Sequence, residues 1–116
     1  MAVRHAFQRG DVVIVQFPFS SGLGIKARPA VVLSTMDYHD QWDELLVVGV
    51  TSRQPKSLRL TDCALQNWQQ AGLKQPSWAR CHLATVHYVR IRQHLGQLTV
   101  NDLAALEKCL RIALGL

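Results

Sequence analysis

Residues 9–34, RGDVVIVQFPFSSGLGIKARPAVVLS, constrain the fold more than any other stretch of this chain. Residues 11–19 alternate, with Val13, Val15, Phe17 and Phe19 on one face, which is the period-two pattern of a strand. A short Gly/Ser/Lys loop follows, and Arg28-Pro29 then leads into residues 29–34, a continuous apolar run. Proline fixes its own backbone and biases the residue before it toward extended conformations. The loop therefore has a rigid, basic exit straight into β structure. Residues 45–52 form a second apolar run, and both runs suit strands covered on two sides.

Further strand-like pieces are residues 57–60, with Leu58 and Leu60 on one face, residues 77–83 and, less regularly, residues 87–92. Residues 20–27 and 35–43 are expected to be loops, and residues 65–72 to hold a helical turn that stops at Gly72. The end of the chain is a helix. Thr99 is its N-cap, Asp102 three residues on gives a capping-box-like start, and Gly115 ends it. Leu103, Leu106, Leu110 and Leu114 fall on one stripe as core or interface. Many short strands and one terminal helix predict a mainly β (β+α) chain, a small, strongly curved β-barrel closed by that helix. With no repeat, low-complexity tract or linker, residues 1–116 are expected to form a single domain.

No apolar run approaches the roughly 20 residues needed to span a bilayer. The start, MAVRHAF, lacks the features of a signal peptide, so a cytoplasmic location is expected. Cys63, Cys81 and Cys109 are scattered, as a reducing compartment tolerates. The five histidines, His5, His39, His82, His87 and His94, form no paired ligand motif, and neither metal nor cofactor is expected. The net charge of +5 suggests a polyanionic partner. Between Leu45 and Asn101 the sole acid is Asp62, against Arg53, Lys56, Arg59, Lys74, Arg80, Arg90 and Arg92. Acids gather instead at Asp37, Asp40, Asp43 and Glu44, so the basic middle suggests a face made for phosphate.

The Gly-Asp strand start, variable loop, Arg28-Pro29, strand ending in Thr51-Ser52 and late amphipathic helix together resemble the PemK/MazF family of toxin-antitoxin endoribonucleases. Residues 61–83, TDCALQNWQQAGLKQPSWARCHL, and the turn Leu95-Gly96-Gln97-Leu98 extend the likeness over roughly residues 8 to 115. The resemblance implies an SH3-like barrel of the PemK/MazF/CcdB kind with a C-terminal helix, usually a homodimer. It also implies metal-independent cleavage of single-stranded RNA at short sequences, and inhibition by a cognate antitoxin through an extended, acidic segment.

Metal-free RNA cleavage uses the neighbouring 2′-hydroxyl as nucleophile. It needs a group to take that proton, one to protonate the leaving 5′-oxygen, and donors for the charge building on the phosphate. Arg28 matches the family's catalytic arginine before the proline, and its guanidinium can present paired donors to two phosphate oxygens. Thr51 matches a family hydroxyl on the scissile phosphate, although a strand-end hydroxyl can equally satisfy backbone. Arg80 matches an arginine of the PemK-like branch, and His82 stands where that branch carries an aspartate used in acid–base chemistry. An imidazole can serve as base or acid near neutral pH, and neighbouring arginines favour the neutral, base-competent form. The replacement equally fits an RNA-contacting side chain or a bystander.

Lys26, Ser52 and Arg53 complete the expected RNA contacts, with Lys26 placed in the loop. Trp42, Trp68 and Trp78 are platforms on which bases can stack, or ordinary core or interface residues. The expected function is thus a toxin of a type II system that cuts single-stranded RNA to a cyclic phosphate and a 5′-hydroxyl. Two alternatives stay open: a CcdB-like gyrase binder on the same fold, and a catalytically weakened RNA-binding or regulatory member.

Overall fold

The alternating run becomes β1 (Asp11–Phe17), and the run behind the basic loop exit becomes β2 (Lys26–Val32). The structure, a computed structural model, describes residues 6–17 and 26–116. β1 and β2 pair antiparallel, with Val15 opposite Arg28 and Phe17 opposite Lys26. Lys26 is therefore the first residue of a strand, where a loop position was expected. Residues 18 and 19 of the expected strand, and all but the end of the expected 20–27 loop, lie outside the described residues.

The chain continues through α1 (Met36–Gln41), β3 (Glu44–Thr51), β4 (Asp62–Ala64) and β5 (Trp78–His87). A 3-10 turn over Tyr88–Arg90, β6 (Ile91–Gln97) and α2 (Val100–Leu114) complete it. The six strands form one sheet in the order β4-β5-β3-β2-β1-β6, with every described pairing antiparallel. The mainly β fold with its C-terminal helix is as expected. No described pairing joins β4 to β6.

Both faces of the central strands are covered, which is why residues 29–34 and 45–52 read as unbroken apolar runs. Val12, Val31, Val48 and Val50 face one cluster with Leu106 and Leu110 of α2. Their neighbours Val13, Val15, Ala30, Val32 and Val47 face the other cluster with Phe7 and Ile91. Alternation places successive side chains on opposite faces, so each strand feeds two cores at once.

α2 starts as its sequence predicts: the Thr99 side chain accepts from the Asp102 N–H at 3.2 Å. The Asp102 carboxylate does not return to the cap. It accepts the backbone N–H groups of Gln66 (3.0 Å) and Asn67 (2.8 Å), tying the helix to the turn that ends at Gly72. Hydrogen bonds to a buried carboxylate contribute about 1.5–3 kcal/mol each. Leu106 and Leu110 are buried and Leu103 packs on the core, whereas Leu114 is half exposed.

Residues 57–60 are not a strand. Leu58 and Leu60 are exposed, and the chain turns instead, with Asp62 N–H donating to Arg59 O and Arg59 N–H to Asp62 Oδ2, both at 3.1 Å. An aspartate that bonds backbone locally competes with a sheet ladder, and the strand begins only at Asp62. Residues 87–92 are likewise not one strand. The His87 ring accepts Val89 N–H and Tyr88 N–H donates to Asp43 O, which sets the 3-10 turn between β5 and β6. The expected loop at 35–43 contains α1, capped by Thr35 and fixed by the fully buried His39. His39 Nδ1 lies 3.1 Å from Phe7 O, a pure acceptor, so Nδ1 carries the proton. Nε2, 2.6 Å from Ser34 Oγ, then accepts from the hydroxyl.

Candidate functional site

The site is made by an irregularity in the sheet. β5 meets β3 with Val48 opposite Leu83 and Val50 opposite Ala79. Gly49 alone therefore spans the stretch that Arg80, Cys81 and His82 occupy on β5. Such a bulge bends its strand and re-aims side chains. Ala79 and Cys81 pack with the core, whereas Arg80 and His82 line a concavity on the other side.

That concavity has two lobes. The larger, about 700 Å³, has Arg28, Thr51, Ser52, Arg53, Lys74 and Arg80 in its lining, together with Gln75 and Gln93. The smaller, about 390 Å³, is lined by Lys26, Gly49 and His82 together with Arg28, Thr51 and Arg80. Arg28, Thr51 and Arg80 stand in both linings, so β2, β3 and β5 each send one polar side chain to the junction. All seven site residues expected from the sequence line one lobe or the other. Lys74, Gln75 and Gln93 were missed. Lys74 sits in the basic middle of the chain, which was the available signal, while the two glutamines had none.

The electrostatics are one-sided. Four cations line the larger lobe and no described carboxylate lines either lobe. The two stretches outside the description, residues 1–5 (MAVRH) and 18–25 (PFSSGLGI), hold no carboxylate side chain. Asp37, Asp40, Asp43 and Glu44 belong to neither lining.

Thr51 ends β3, and its hydroxyl oxygen accepts the Arg53 N–H at 3.1 Å. That bond uses a lone pair, so the hydroxyl hydrogen can still be donated to a ligand. It also shapes the turn that brings Arg53, beyond the strand, to the lining. Arg80 Nε lies 3.5 Å from Asp62 Oδ1, its cross-strand partner on β4.

The cysteines lie behind this surface. Burial foremost, then Cys109 and Asp102, push the Cys63 thiol up to about 12. Burial, then Cys109 and Asp62, push Cys81 up as well. Both stay protonated at neutral pH, which suits packing and not nucleophilic attack. Among the described residues no group of three His, Cys, Asp or Glu is arranged to hold a metal ion. The tryptophans stand off the concavity: Trp42 is exposed beside Tyr38, Trp68 packs on the core, and Trp78 is half-buried opposite Thr51. No helix among the described residues is long and apolar enough to cross a membrane.

The structure is similar to several solved ones. An endoribonuclease from Mycobacterial species superposes with a TM-score of 0.77 at 19% identity, covering 96% of this chain and 93% of that one. MazF from Deinococcus radiodurans gives 0.74 at 24% identity, over 95% and 97% of the two chains. A Mycobacterial endoribonuclease in complex with its cognate antitoxin gives 0.73 at 20% identity, over 96% and 95%. At these identities the likeness establishes the fold. Among curated proteins no sequence matches this chain. The family model describing the PemK-like, MazF-like toxin of type II toxin-antitoxin systems matches residues 8–114. With nearly the whole chain matched and the sheet and terminal helix in the shared arrangement, this protein belongs to the PemK-like, MazF-like toxin family of type II toxin-antitoxin systems.

Proposed function

We propose that this protein is a sequence-preferring endoribonuclease that cuts single-stranded RNA without a metal. The observation that carries this reading is the convergence of Arg28, Thr51 and Arg80, from three strands, on the junction of a cationic, two-lobed concavity. A chain of nucleotides crossing the junction would place one phosphate there and its neighbours in the lobes.

In the reaction, O2′ attacks phosphorus and the P–O5′ bond breaks, leaving a 2′,3′-cyclic phosphate and a 5′-hydroxyl. Arg28 and Arg80 stabilise the charge that builds on the non-bridging oxygens, where donors fixed in advance act most strongly. Thr51 donates its hydroxyl hydrogen to the same phosphate. His82 is the one imidazole in the described lining, and it takes the 2′-hydroxyl proton or supplies one to O5′, with solvent water as the partner of the other transfer. Lys26, Ser52 and Arg53 hold the flanking backbone. We further assign the protein to the cytoplasm as a homodimer, inhibited by an antitoxin whose acidic segment competes with RNA for the cationic surface.

The test is incubation of the pure protein with long single-stranded RNA in excess chelator, beside Arg28→Ala, with the new ends mapped. Discrete cuts with 5′-hydroxyl ends, lost in the variant, are the expected result. No cuts by folded, antitoxin-free protein would overturn the nuclease reading. The pH–rate profile then assigns His82: the limb it contributes should vanish in His82→Ala, and an unchanged profile would remove it from the mechanism.

A further inference from the structure

Asp62 is the single acid between Leu45 and Asn101, and it is not spent on the surface. Its side chain is only 4% exposed, although it belongs to a three-residue strand at the end of the sheet order. A buried carboxylate needs partners, and this one has them on both oxygens. Oδ2 accepts the Arg59 N–H at 3.1 Å and lies 3.9 Å from the exposed Arg59 guanidinium. Oδ1 faces Arg80 Nε at 3.5 Å. The register sets this second contact, because Asp62 and Arg80 are direct partners in the β4–β5 ladder.

We propose that Asp62 is a positioning residue for the cleavage site, holding the Arg80 guanidinium in the orientation that meets the scissile phosphate. The inference rests on the nuclease reading above and extends it to a residue that never touches RNA. Asp62 lines neither lobe, so it is placed neither to accept a substrate proton nor to contact the backbone. The ion pair engages Nε, so the terminal amino groups of Arg80, which carry the paired donors for phosphate, are the part left to a ligand. An arginine on a bulged strand has long side-chain freedom, and a fixed carboxylate behind it removes much of that freedom before substrate arrives. The same carboxylate lies beside a surface selected for anions, where a further negative charge weakens RNA binding. An acid at that place works against RNA affinity, and what it gives in return is the geometry of Arg80.

The two consequences have opposite signs, and that makes the assignment testable. Asp62→Asn keeps the volume and an acceptor for Arg59 N–H but removes the charge that holds Arg80. Single-turnover cleavage of a fluorescent single-stranded RNA spanning a mapped cut should slow on the order of 100-fold, the scale for a misplaced catalytic group. Affinity for the same RNA with a 2′-deoxy nucleotide at the cut should be unchanged or tighter. In an Arg80→Ala background, Asp62→Asn should add less than about 3-fold, since residues acting through one another are non-additive. A loss that multiplies undiminished in that background would overturn the proposal in favour of a purely structural Asp62. The Arg80 Nε–H resonance provides a readout without RNA. It should shift and exchange faster in Asp62→Asn, and an unmoved resonance would equally overturn the assignment. Because this signal comes from the free protein, it tests the hold of Asp62 on Arg80 separately from the nuclease reading.

Discussion

Thr51 shows how a strand-end hydroxyl can be both structural and chemical. Its oxygen accepts Arg53 N–H, which leaves its hydrogen available for donation to a phosphate. Thr51→Ser should keep both uses and cleave within about 3-fold of wild type, whereas Thr51→Val, of equal shape, should lose on the order of 100-fold, the lower end for removing a donor to a developing charge. Equal rates for the two variants in single-turnover cleavage would remove the hydroxyl from the site. Cys63 allows a second test at this scale. Its folded value of about 12 lies above the ordinary 9.0, so the folded state keeps a proton that the unfolded state gives up. Its contribution is therefore complete below pH 9.0 and is lost as pH rises toward 12. Urea unfolding at stepped pH should show wild type losing stability relative to Cys63→Ala above pH 9.0, with parallel curves below it.

Among the elements, the turn ending at Gly72 is pressed against β6 more closely than any side chain permits. A Cβ at Gly96 would lie 2.6 Å from Ala71 O, and one at Gly72 would lie 2.2 Å from Leu95 O. The obstacles are backbone atoms and have no rotamer to yield, and Gly72 also has a φ of +84°. Gly96→Ala should cost about 3 kcal/mol, the upper end for forced overpacking, while Gly49→Ala, which meets nothing within 4 Å, should change stability by less than about 1 kcal/mol. Thermal unfolding of the two variants checks the contrast. The same turn carries Lys74 and Gln75 to the larger lobe, and nothing in local pattern foretold that, because the approach of residues 71–72 to residues 95–96 is long-range. The core strands were legible because burial on both faces writes itself as unbroken valine-rich runs. α1 was not, since six residues with one buried histidine offer no apolar period. Residues 57–60 misled for the opposite reason: Leu58 and Leu60 alternate like a strand, but the Asp62 carboxylate captures the backbone first. The bulge that turns Arg80 and His82 outward was also illegible, being a mismatch between two strands and not a property of either.

At the scale of the whole molecule, the segregation of charge seen in the sequence survives folding. Acids collect on and after α1, while Arg28, Arg53, Lys74 and Arg80 converge on one lobe with no described carboxylate in its lining. Single-stranded nucleic acid releases fewer counterions per contact than duplex, about 0.7 per phosphate neutralised. Four cations on the lobe therefore predict a slope of about −3 in log affinity against log salt, measured with RNA made uncleavable by a 2′-deoxy nucleotide at the cut. Arg53→Gln should reduce the steepness by about 0.7 and weaken all RNA sequences alike, because a phosphate contact positions the chain without reading bases. Gln93→Ala should leave the slope alone and change which sequences are preferred, since a neutral amide in the lining can act on a base but not on the ion atmosphere. If Arg53→Gln left the slope intact, the larger lobe would not be where the phosphate backbone runs, and RNA would have to enter through the Lys26–His82 lobe instead.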